Sequence, residues 1–420
     1  MTVRFLETES DLSSFAATIN DRLSGDTPYL YNVALNIEQN VDDGTNDALT
    51  ATFGVKTADE LGLNKTQAPS LDAVLNHFAS DATRSAALTS LTTEQGFMSA
   101  YDQLLPQYGD GTARQLASLA SLASGSVSQQ LQLVKAGGRN GGDGWLQQFG
   151  DYIKHDATAQ SDTLSGDSFS IASGYDAPLF GLDALGMFLQ MNFANIDEKN
   201  SSFNEVKTEG WSVGAYLAES FGPIGLELVA QTGTVDMESL RVVTVGTLSD
   251  VLYADWEGES IAASGKIIVP ILRGNHQLQA EFGAEYFSLD QDGYSERAAS
   301  TSGFAMQVGD ASSELTTSYI GLRGRQVIKG RSEFDVTWMP TYYVGYQTTN
   351  NYDAYEAKAQ FVGDGTEFIL KNNEDIDDAA SIGFGVSAYN DYFAIEFDYR
   401  ASFGDDVETH GGGLAVRLKF

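Results

Sequence analysis

The sequence predicts an all-β transmembrane barrel of about twelve antiparallel strands, preceded by a small mixed region of strands and helices. Residues 144–420 contain only strand patterns, and several are longer than the five or six residues (roughly) that are usual in globular proteins. Apolar and polar side chains alternate along them, and their connections alternate between long and short. A soluble sandwich also has alternating strands, so the rhythm of the connections is the stronger observation.

The first 140 residues are of mixed type. Two alternating segments around the turn-rich residues 42–46 predict a strand pair, 29–39 and 49–56. Helical periodicity follows and predicts three helices, in residues 71–78, 86–105 and 112–135. Pro106 ends the second of them, and the glycine-rich residues 137–144 cannot continue the third, so they form a joint before the strands.

The remaining chain predicts twelve strands, in residues 144–155, 166–177, 183–197, 206–220, 224–238, 253–271, 276–290, 315–328, 331–346, 379–389, 391–403 and 408–420. The long connections between them are residues 156–165, 198–205, 239–252, 291–314 and 347–378. This rhythm places the long loops at one end of a barrel and the short turns at the other, as in outer-membrane proteins. The short connection at residues 404–407 departs from it.

Charge and composition exclude several classes of protein. Lys and Arg total 24, Asp and Glu total 58, and the formal net charge of −34 excludes a nucleic-acid partner that requires a basic face. A hydrophobic content of 42% argues against disorder. The chain has no cysteine, which excludes disulfides, thiolate metal sites and cysteine nucleophiles. No apolar run is long enough for a transmembrane helix.

The polar face of the strands predicts a hydrated lumen with mixed charges. The residues expected to face inward are Glu281, Glu285, Arg323, Arg325, Asp335, Glu396, Asp398, Arg400, Arg417 and Lys419. The alternative is ordinary surface charge on a soluble sheet. The four tryptophans predict anchors at the membrane interface, and the alternative for each is a core aromatic: Trp145, Trp211, Trp256 and Trp338.

The helix predicted at residues 112–135 is about 36 Å long, which is enough to cross the height of a bilayer. Its surface is rich in small, weakly polar residues that suit a narrow lumen, and we expect it to thread the barrel. The residues assigned to this pore helix are Arg114, Leu116, Ser121, Ser124 and Lys135. Arg114, Lys135 and Arg139 could pair with carboxylates of the lumen. The alternative is an amphipathic helix within a small soluble module.

No catalytic or metal site is predicted, and no cofactor. Residues 210–214 match G-x-S-x-G, but a nucleophile elbow requires a sharp turn from strand to helix, and here the strand pattern continues. The four histidines have no metal-ligand spacing. The acidic residues 290–293 and 372–378 complete no EF-hand loop, so solvated loops are the better interpretation.

The order of these features resembles the C-terminal translocator domain of autotransporters, the type V secretion family. The glycine-rich joint is followed by a first strand Gly144-Trp145-Leu146-Gln147-Gln148-Phe149-Gly150 and a second strand that begins Gly166-Asp167-Ser168-Phe169. The chain ends on an alternating aliphatic strand with Phe420. Upstream, residues 56–64 and 101–106 look like the stalk and linker that precede such barrels.

The resemblance implies four segments: strands at the passenger end or stalk in 1–58, a helical linker module in 59–111, a pore-spanning helix with its joint in 112–140, and the barrel in 141–420. It also implies an assembly signal in Leu414, Val416, Leu418 and Phe420 that the barrel-assembly machinery reads. Some family members cut their passenger inside the pore at an Asn of the helix. Residues 112–135 contain no Asn, and Asn140 lies in the joint, so we do not expect self-cleavage.

The family suggests a monomeric, non-enzymatic translocator and anchor in the bacterial outer membrane, with the N-terminal part at the cell surface. Its expected partners are lipid and lipopolysaccharide, the assembly machinery and its own passenger. The missing signal peptide and passenger suggest a fragment of a longer precursor. An independent outer-membrane pore or adhesin, with residues 1–140 as plug or surface module, is the alternative. A secreted soluble acidic β-protein is the third possibility.

Overall fold

The computed structural model describes residues 2–8, 27–41, 46–106, 110–137, 142–156, 158, 163–198, 204–330, 336–372, 376 and 378–419. Four residues that carried predictions lie outside these ranges: Asp335, Arg139, Asn140 and Phe420. The side chains of Lys135 and Lys419 are also outside the described part.

The chain begins with a small sheet in which the order is β1-β3-β2. Its strands are β1 (Thr2–Thr8), β2 (Tyr31–Val41) and β3 (Asn46–Val55). Four short helices follow, with one 3₁₀ turn at Ala68–Ser70: α1 (Ala58–Leu61), α2 (Leu71–Ala79), α3 (Ala82–Thr89) and α4 (Glu94–Leu104). The single helix predicted in residues 86–105 is therefore wrong. It is divided because the hydroxyl of Thr93 accepts a hydrogen bond from Gly96 N and begins α4 as its N-cap.

A long helix, α5 (Asp110–Gly137), connects this region to the barrel. Twelve antiparallel strands form the barrel: β4 (Asp143–His155), β5 (Leu164–Ala177), β6 (Ala184–Glu198), β7 (Asn204–Phe221), β8 (Ile224–Val245), β9 (Leu248–Leu272), β10 (His276–Gln291), β14 (Ala311–Gln326), β15 (Thr337–Asp353), β18 (Ala379–Tyr389), β19 (Phe393–Phe403) and β20 (Val407–Lys419). Each pairs with the next along the chain. The last strand pairs with the first, from Val407 opposite His155 to Lys419 opposite Asp143, so the ring is closed.

The predicted fold class is thereby confirmed. No helix in the described ranges is long and apolar enough to cross a membrane. On the last strand, Leu414, Val416 and Leu418 are exposed on the outer surface, whereas Ala415 and Arg417 are buried inside the barrel. This alternation follows from the two-residue repeat of a strand, because one face meets lipid and the other faces the lumen.

Five further strands lie in two long connections: β11 (Tyr294–Ser295), β12 (Arg297–Ala298), β13 (Met306–Val308), β16 (Glu356–Phe361) and β17 (Phe368–Lys371). Four of them form a separate sheet in the order β11-β13-β16-β17, and β12 pairs with β9. These connections, predicted as loops, are thus partly ordered by pairing with one another. We call the end of the barrel that carries them the loop end, and the opposite end the turn end.

One predicted loop is a hairpin. Residues 239–252 continue β8 and β9 without interruption around a tight turn at residues 246–247, where Gly246 has φ +58°. The two strands have 22 and 25 residues, far more than the roughly nine to eleven that a membrane crossing needs. The hairpin therefore projects beyond the barrel at the loop end. The strand β15 is described from Thr337, and residues 331–335 of the predicted strand lie outside the described residues.

Candidate functional site

The lumen of the barrel contains α5, which runs from the loop end to the turn end. At its start, the carboxylate of Asp110 accepts a hydrogen bond from the backbone N–H of Tyr355 at the loop end (3.0 Å). Near its finish, Gln130 accepts one from Arg417 at the turn end (3.3 Å). The helix contacts the strands β4 to β10 and β14. At 28 residues it is about 42 Å long, so it spans the height of the ring.

Asp151 on β4 anchors the half of α5 that lies nearer the loop end. Its carboxylate accepts hydrogen bonds from the side chains of Gln115 (2.5 Å) and Ser118 on α5, and from Ser168 on β5. One inward carboxylate thus joins the helix to two strands of the wall. Because a carboxylate is a strong acceptor in a weakly polar interior, this contact fixes the rotation of the helix in the barrel.

Further down, small helix residues meet long side chains of the wall. The amide of Gln147 donates to Ser126 Oγ at 2.7 Å. Lys266 on β9 donates to Ser128 and forms an ion pair with Glu227 on β8 at 3.1 Å. Serine and alanine on α5 therefore leave space that the wall fills with polar groups.

A buried charge cluster closes the turn end. Arg417 on β20 is 1% exposed and contacts Asp143 on β4 and Asp176 on β5, each at 2.9 Å. The two aspartates lie opposite each other across the β4–β5 pair. The guanidinium therefore neutralises two adjacent carboxylates and crosses the seam between the last and the first strand.

Two of the four predicted interface tryptophans are inside the molecule, so that prediction is wrong for Trp145 and Trp256. Trp145 is 5% exposed and donates from Nε1 to the hydroxyl of Tyr216 (2.8 Å), which donates to Asp176. Trp256 faces inward on β9 and stacks on Tyr294 at 4.5 Å. The others, Trp211 and Trp338, are each 51% exposed on the outer surface.

The predicted lumen charges occupy inward strand positions in the described part of the chain, and they are not all paired with one another. Glu281 and Arg323 form an ion pair at 2.7 Å. Arg325 donates to Gln279 at 2.8 Å, and Glu396 accepts from Ser387 at 3.2 Å. The remaining inward charges are half-buried: Glu285, Asp398 and Arg400.

A cavity of about 210 Å³ remains between α5 and the wall. It is bordered by Ser121 and Ser124 of the predicted pore helix and extends along β8 to β10 to strands with which the helix makes few contacts, among them β15 and β19. Its wall residues include Lys266, Glu285, Tyr319, Arg323, Tyr343 and Arg400. The ring of Tyr343 lies between Arg323 and Arg400, at 4.9 and 4.8 Å from the guanidinium carbons. The helix therefore sits off-centre and leaves a polar space beside it.

Two further pore-helix predictions can be located. Arg114 is 6% exposed and lies over the ring of Tyr352 at 5.5 Å, so it contacts the wall near the loop end. Leu116 is 7% exposed within an apolar cluster of helix and wall residues.

Sequence reasoning missed the carboxylates that hold the helix and the seam. Asp143, Asp151 and Asp176 all lie on predicted strands or at their margin. The alternation of β4 and β5 could have predicted that these three side chains face inward, although it could not have predicted their partners on α5 and β20. The residues of the G-x-S-x-G match lie within the continuous strand β7, which lacks the turn of a nucleophile elbow. No group of three or more potential metal ligands occurs among the described residues.

Comparisons with known proteins agree with this geometry. A family model described as autotransporter beta-domain matches residues 144–400. The translocator domain of the autotransporter NalP from Neisseria meningitidis is similar in structure, with a TM-score of 0.52 and 16% identity over 71% of this chain and 98% of that one. The β-domain of the Bordetella autotransporter BrkA has a TM-score of 0.48 and 18% identity over 67% of this chain and all of that one. No curated protein matches at a significant level.

Proposed function

This chain belongs to the autotransporter β-domain family, and we propose that it exports an N-terminal passenger through its barrel and then anchors that passenger at the cell surface. The family is one of translocator barrels of the bacterial outer membrane, and this barrel is an outer-membrane domain. The exported passenger, its route and its final position belong to the proposal.

The observation that carries the proposal is the path of the chain through the lumen. The segment that precedes the barrel passes through the ring as α5 and joins β4 at the turn end. The described helices that precede Asp110 consequently lie on the loop-end side of the barrel. If the short turns face the periplasm, as in other outer-membrane barrels, the loop end faces outward and the N-terminal residues lie outside the cell.

The wall of the lumen supports transport of a polypeptide. It carries polar groups of both signs, such as Lys266, Glu281 and Arg323, which would hydrate an extended chain, beside an apolar cluster that packs against α5. Backbone pairing of β20 with β4 joins the last and first strands, so the closed ring presents no strand edge to lipid.

The partners are part of the same proposal. The outer surface of the barrel would contact lipid and lipopolysaccharide through its apolar belt. The outward residues Leu414, Val416 and Leu418, together with Phe420, would be read by the barrel-assembly machinery. Because the ring is closed, the barrel has no edge that requires a second copy, and we expect a monomer.

The alternative is an independent outer-membrane pore or adhesin with the N-terminal region as a plug or surface module. It is supported by the amount of ordered structure at the loop end. A non-enzymatic role fits both versions. The upstream sequence of the precursor distinguishes them, since a large passenger preceding Thr2 would favour export.

Export can be tested by placing a signal peptide and an epitope before Thr2 and expressing the full chain in a Gram-negative host. We expect the epitope to become accessible to antibody and protease on intact cells. The matched control carries the epitope on the periplasmic turn at residues 273–275, where it should stay protected. A correctly folded barrel whose N-terminal epitope remains periplasmic would contradict the proposal.

A further inference from the structure

We propose that the helices α1 to α4, residues 58–106, form a fixed cap that seals the part of the lumen left open by α5. We call this segment the helical cap. The inference concerns a role of the cap in closing the pore and does not depend on whether a passenger is exported.

The helical cap and the connections of the barrel share one hydrophobic core. Its buried members from the cap include Leu61, Phe78, Phe97 and Leu104. An equal share comes from the β8–β9 hairpin and the connections that follow β10 and β15, among them Val243, Val245, Leu252, Phe304, Met306, Phe361 and Leu370. Neither side could bury these residues without the other. The contact therefore has the character of a protein interior, which favours a docked state over an open one.

Gln103 of the cap binds the projecting hairpin beside a buried ion pair that joins the hairpin to the connection after β10. Arg241 on β8 binds Glu296 with Nε–Oε1 at 2.9 Å and Nη2–Oε2 at 2.6 Å, and both side chains are 2% exposed. The same guanidinium donates through Nη1 to the backbone oxygen of Gln103 at the end of α4 (2.6 Å). The side chain of Gln103 in turn accepts from Thr244 N (2.8 Å). A buried network of this kind specifies one docking position, because any displacement leaves a charge unpaired.

A second polar contact holds the opposite side of the cap. His77 on α2 is 4% exposed and stacks on Phe361 at 4.0 Å with the rings nearly parallel. One ring nitrogen contacts the carbonyl oxygen of Gly303 (2.7 Å) and the other contacts Asp364 (3.2 Å). The cap is thus attached to three separate connections of the barrel.

The position of these connections gives the cap its proposed role. The cavity beside α5 is lined by residues of β10, β14 and β15, such as Glu285, Tyr319 and Tyr343. The connections that bind the cap leave from the loop ends of those same strands and from the β8–β9 hairpin. The helix itself contacts β4 to β10 and β14, and it makes few contacts with β15, β18, β19 and β20. The helix therefore leaves space along β15 to β20, and the connection after β15 attaches the cap at the loop end of that space.

The proposal predicts that undocking the cap opens the pore while the barrel stays intact. In Arg241→Glu, the new carboxylate would face both Glu296 and the backbone oxygen of Gln103 in a buried site, and the cap should detach. We expect the purified full chain to show a several-fold larger conductance in planar bilayers. The double variant Arg241→Glu with Glu296→Arg restores opposite charges between the hairpin and the connection after β10 but not the hydrogen bond to Gln103, so it should return the conductance part of the way to that of the parent.

Chemical labelling gives an independent measurement, because the parent chain has no cysteine. A cysteine replaces Ser402, which lines the cavity, and a membrane-impermeant maleimide is added from outside. Labelling should be slow in the parent and several-fold faster with Arg241→Glu. The control is a cysteine at the exposed Glu367, whose labelling rate should not change.

The proposal is overturned if protease digestion shows the cap detached in Arg241→Glu while conductance and Ser402→Cys labelling stay at parental values. Heat-modifiable migration in gels verifies that the barrel is folded in every variant. If Arg241→Glu fails to assemble, the milder Phe78→Ala, which removes an apolar contact of the cap with Phe304, serves in the same two measurements. Unchanged values with a detached cap in that variant would likewise overturn it.

Discussion

Arg417 on the last strand of the barrel and Asp176 on the second form a buried ion pair, with Nη2 2.9 Å from Oδ1 and exposures of 1% and 0%. The pair spans β4, the strand between them, and includes Asp143 on that strand. Backbone hydrogen bonds alone would close the seam, but the shared guanidinium ties three strands together at the end where the chain enters and leaves the ring.

Replacing Arg417 with Gln should destabilise the barrel strongly. The change leaves Asp143 and Asp176 as adjacent buried carboxylates, and loss of one partner from a buried pair costs about 3–5 kcal/mol. We expect a lower temperature for the conversion of the compact band to the unfolded band in gel electrophoresis. The control Lys207→Gln removes the exposed member of a pair with Glu205 and should cost less than about 1 kcal/mol. Equal transition temperatures for Arg417→Gln and Lys207→Gln would argue against a stabilising role of the Arg417 ion pairs with Asp143 and Asp176.

Docking of the helical cap should weaken in acid because of His77. Burial, together with the nearby Arg84, lowers the pKa of His77 below its ordinary 6.5, and the Gly303 carbonyl and Asp364 oppose this only in part. Asp81, at the N-cap of α3, adds a further nearby carboxylate. Because the docked state prefers the neutral ring, undocking takes up a proton. The contribution of His77 to docking is complete above pH 6.5, and it is lost as the pH falls through the lowered pKa of the docked His77.

We expect the cap to become more sensitive to trypsin between pH 7 and pH 5, and His77→Gln to remove most of this dependence because its amide can donate without titrating. The control His276→Gln alters an exposed histidine at the turn end and should keep the parental profile. An unchanged profile in His77→Gln would show that another group is responsible.

The position of α5 in the lumen predicts a specific crosslink. The hydroxyls of Ser118 on the helix and Ser168 on β5 both donate to Asp151, so cysteines at these two positions should be joined efficiently by a short bifunctional thiol reagent. Mass spectrometry of the digested product measures the yield. Ser118→Cys combined with Ser387→Cys is the matched control, since Ser387 lies near the turn end of β18, and it should give little product. Comparable yields would mean that the helix does not keep this position.

The outer face of β19 should respond to charge according to depth. Phe397 is exposed near the middle of the strand, whereas Phe403 is exposed at its loop end. Phe397→Arg should destabilise the barrel in lipid vesicles by about 2–4 kcal/mol, and Phe403→Arg by about 0–1 kcal/mol, because burial of the charge in hydrocarbon decreases toward the interface. Denaturant titration followed by tryptophan fluorescence measures both. Equal costs would be inconsistent with a membrane belt at this height.

Deletion of Phe420 tests the proposed assembly signal. We expect less barrel in the outer membrane and more degraded protein, measured by membrane fractionation and heat-modifiable migration. Phe420→Trp keeps a large aromatic end and should assemble nearly as well as the parent. Normal assembly of the deletion variant would remove Phe420 from the signal.

The sequence by itself determined the ring. The strand count, the inward position of Glu281, Arg323 and Arg417, and the outward position of Leu414 all follow from a repeat of two residues and from the need to pair every backbone group in lipid. These are local rules, and each strand carries them in its own residues. The 112–135 helix and its place in the lumen could be inferred in the same way from its length and small side chains.

Only the tertiary structure decided which distant groups meet. Trp145 was predicted as an interface anchor, because the sequence alone did not decide whether its side chain faces the lipid or the lumen. Its contacts with Tyr216 and Phe188 depend on how the ring closes. Residues 239–252 were predicted as a long connection, yet β8 and β9 extend through them to meet the helical cap. The contact of Arg241 with Glu296 joins segments 55 residues apart, and that of Arg417 with Asp143 joins segments 274 apart. Pairings at such separations are set by closure of the barrel and by the shared apolar core, and no local pattern encodes them.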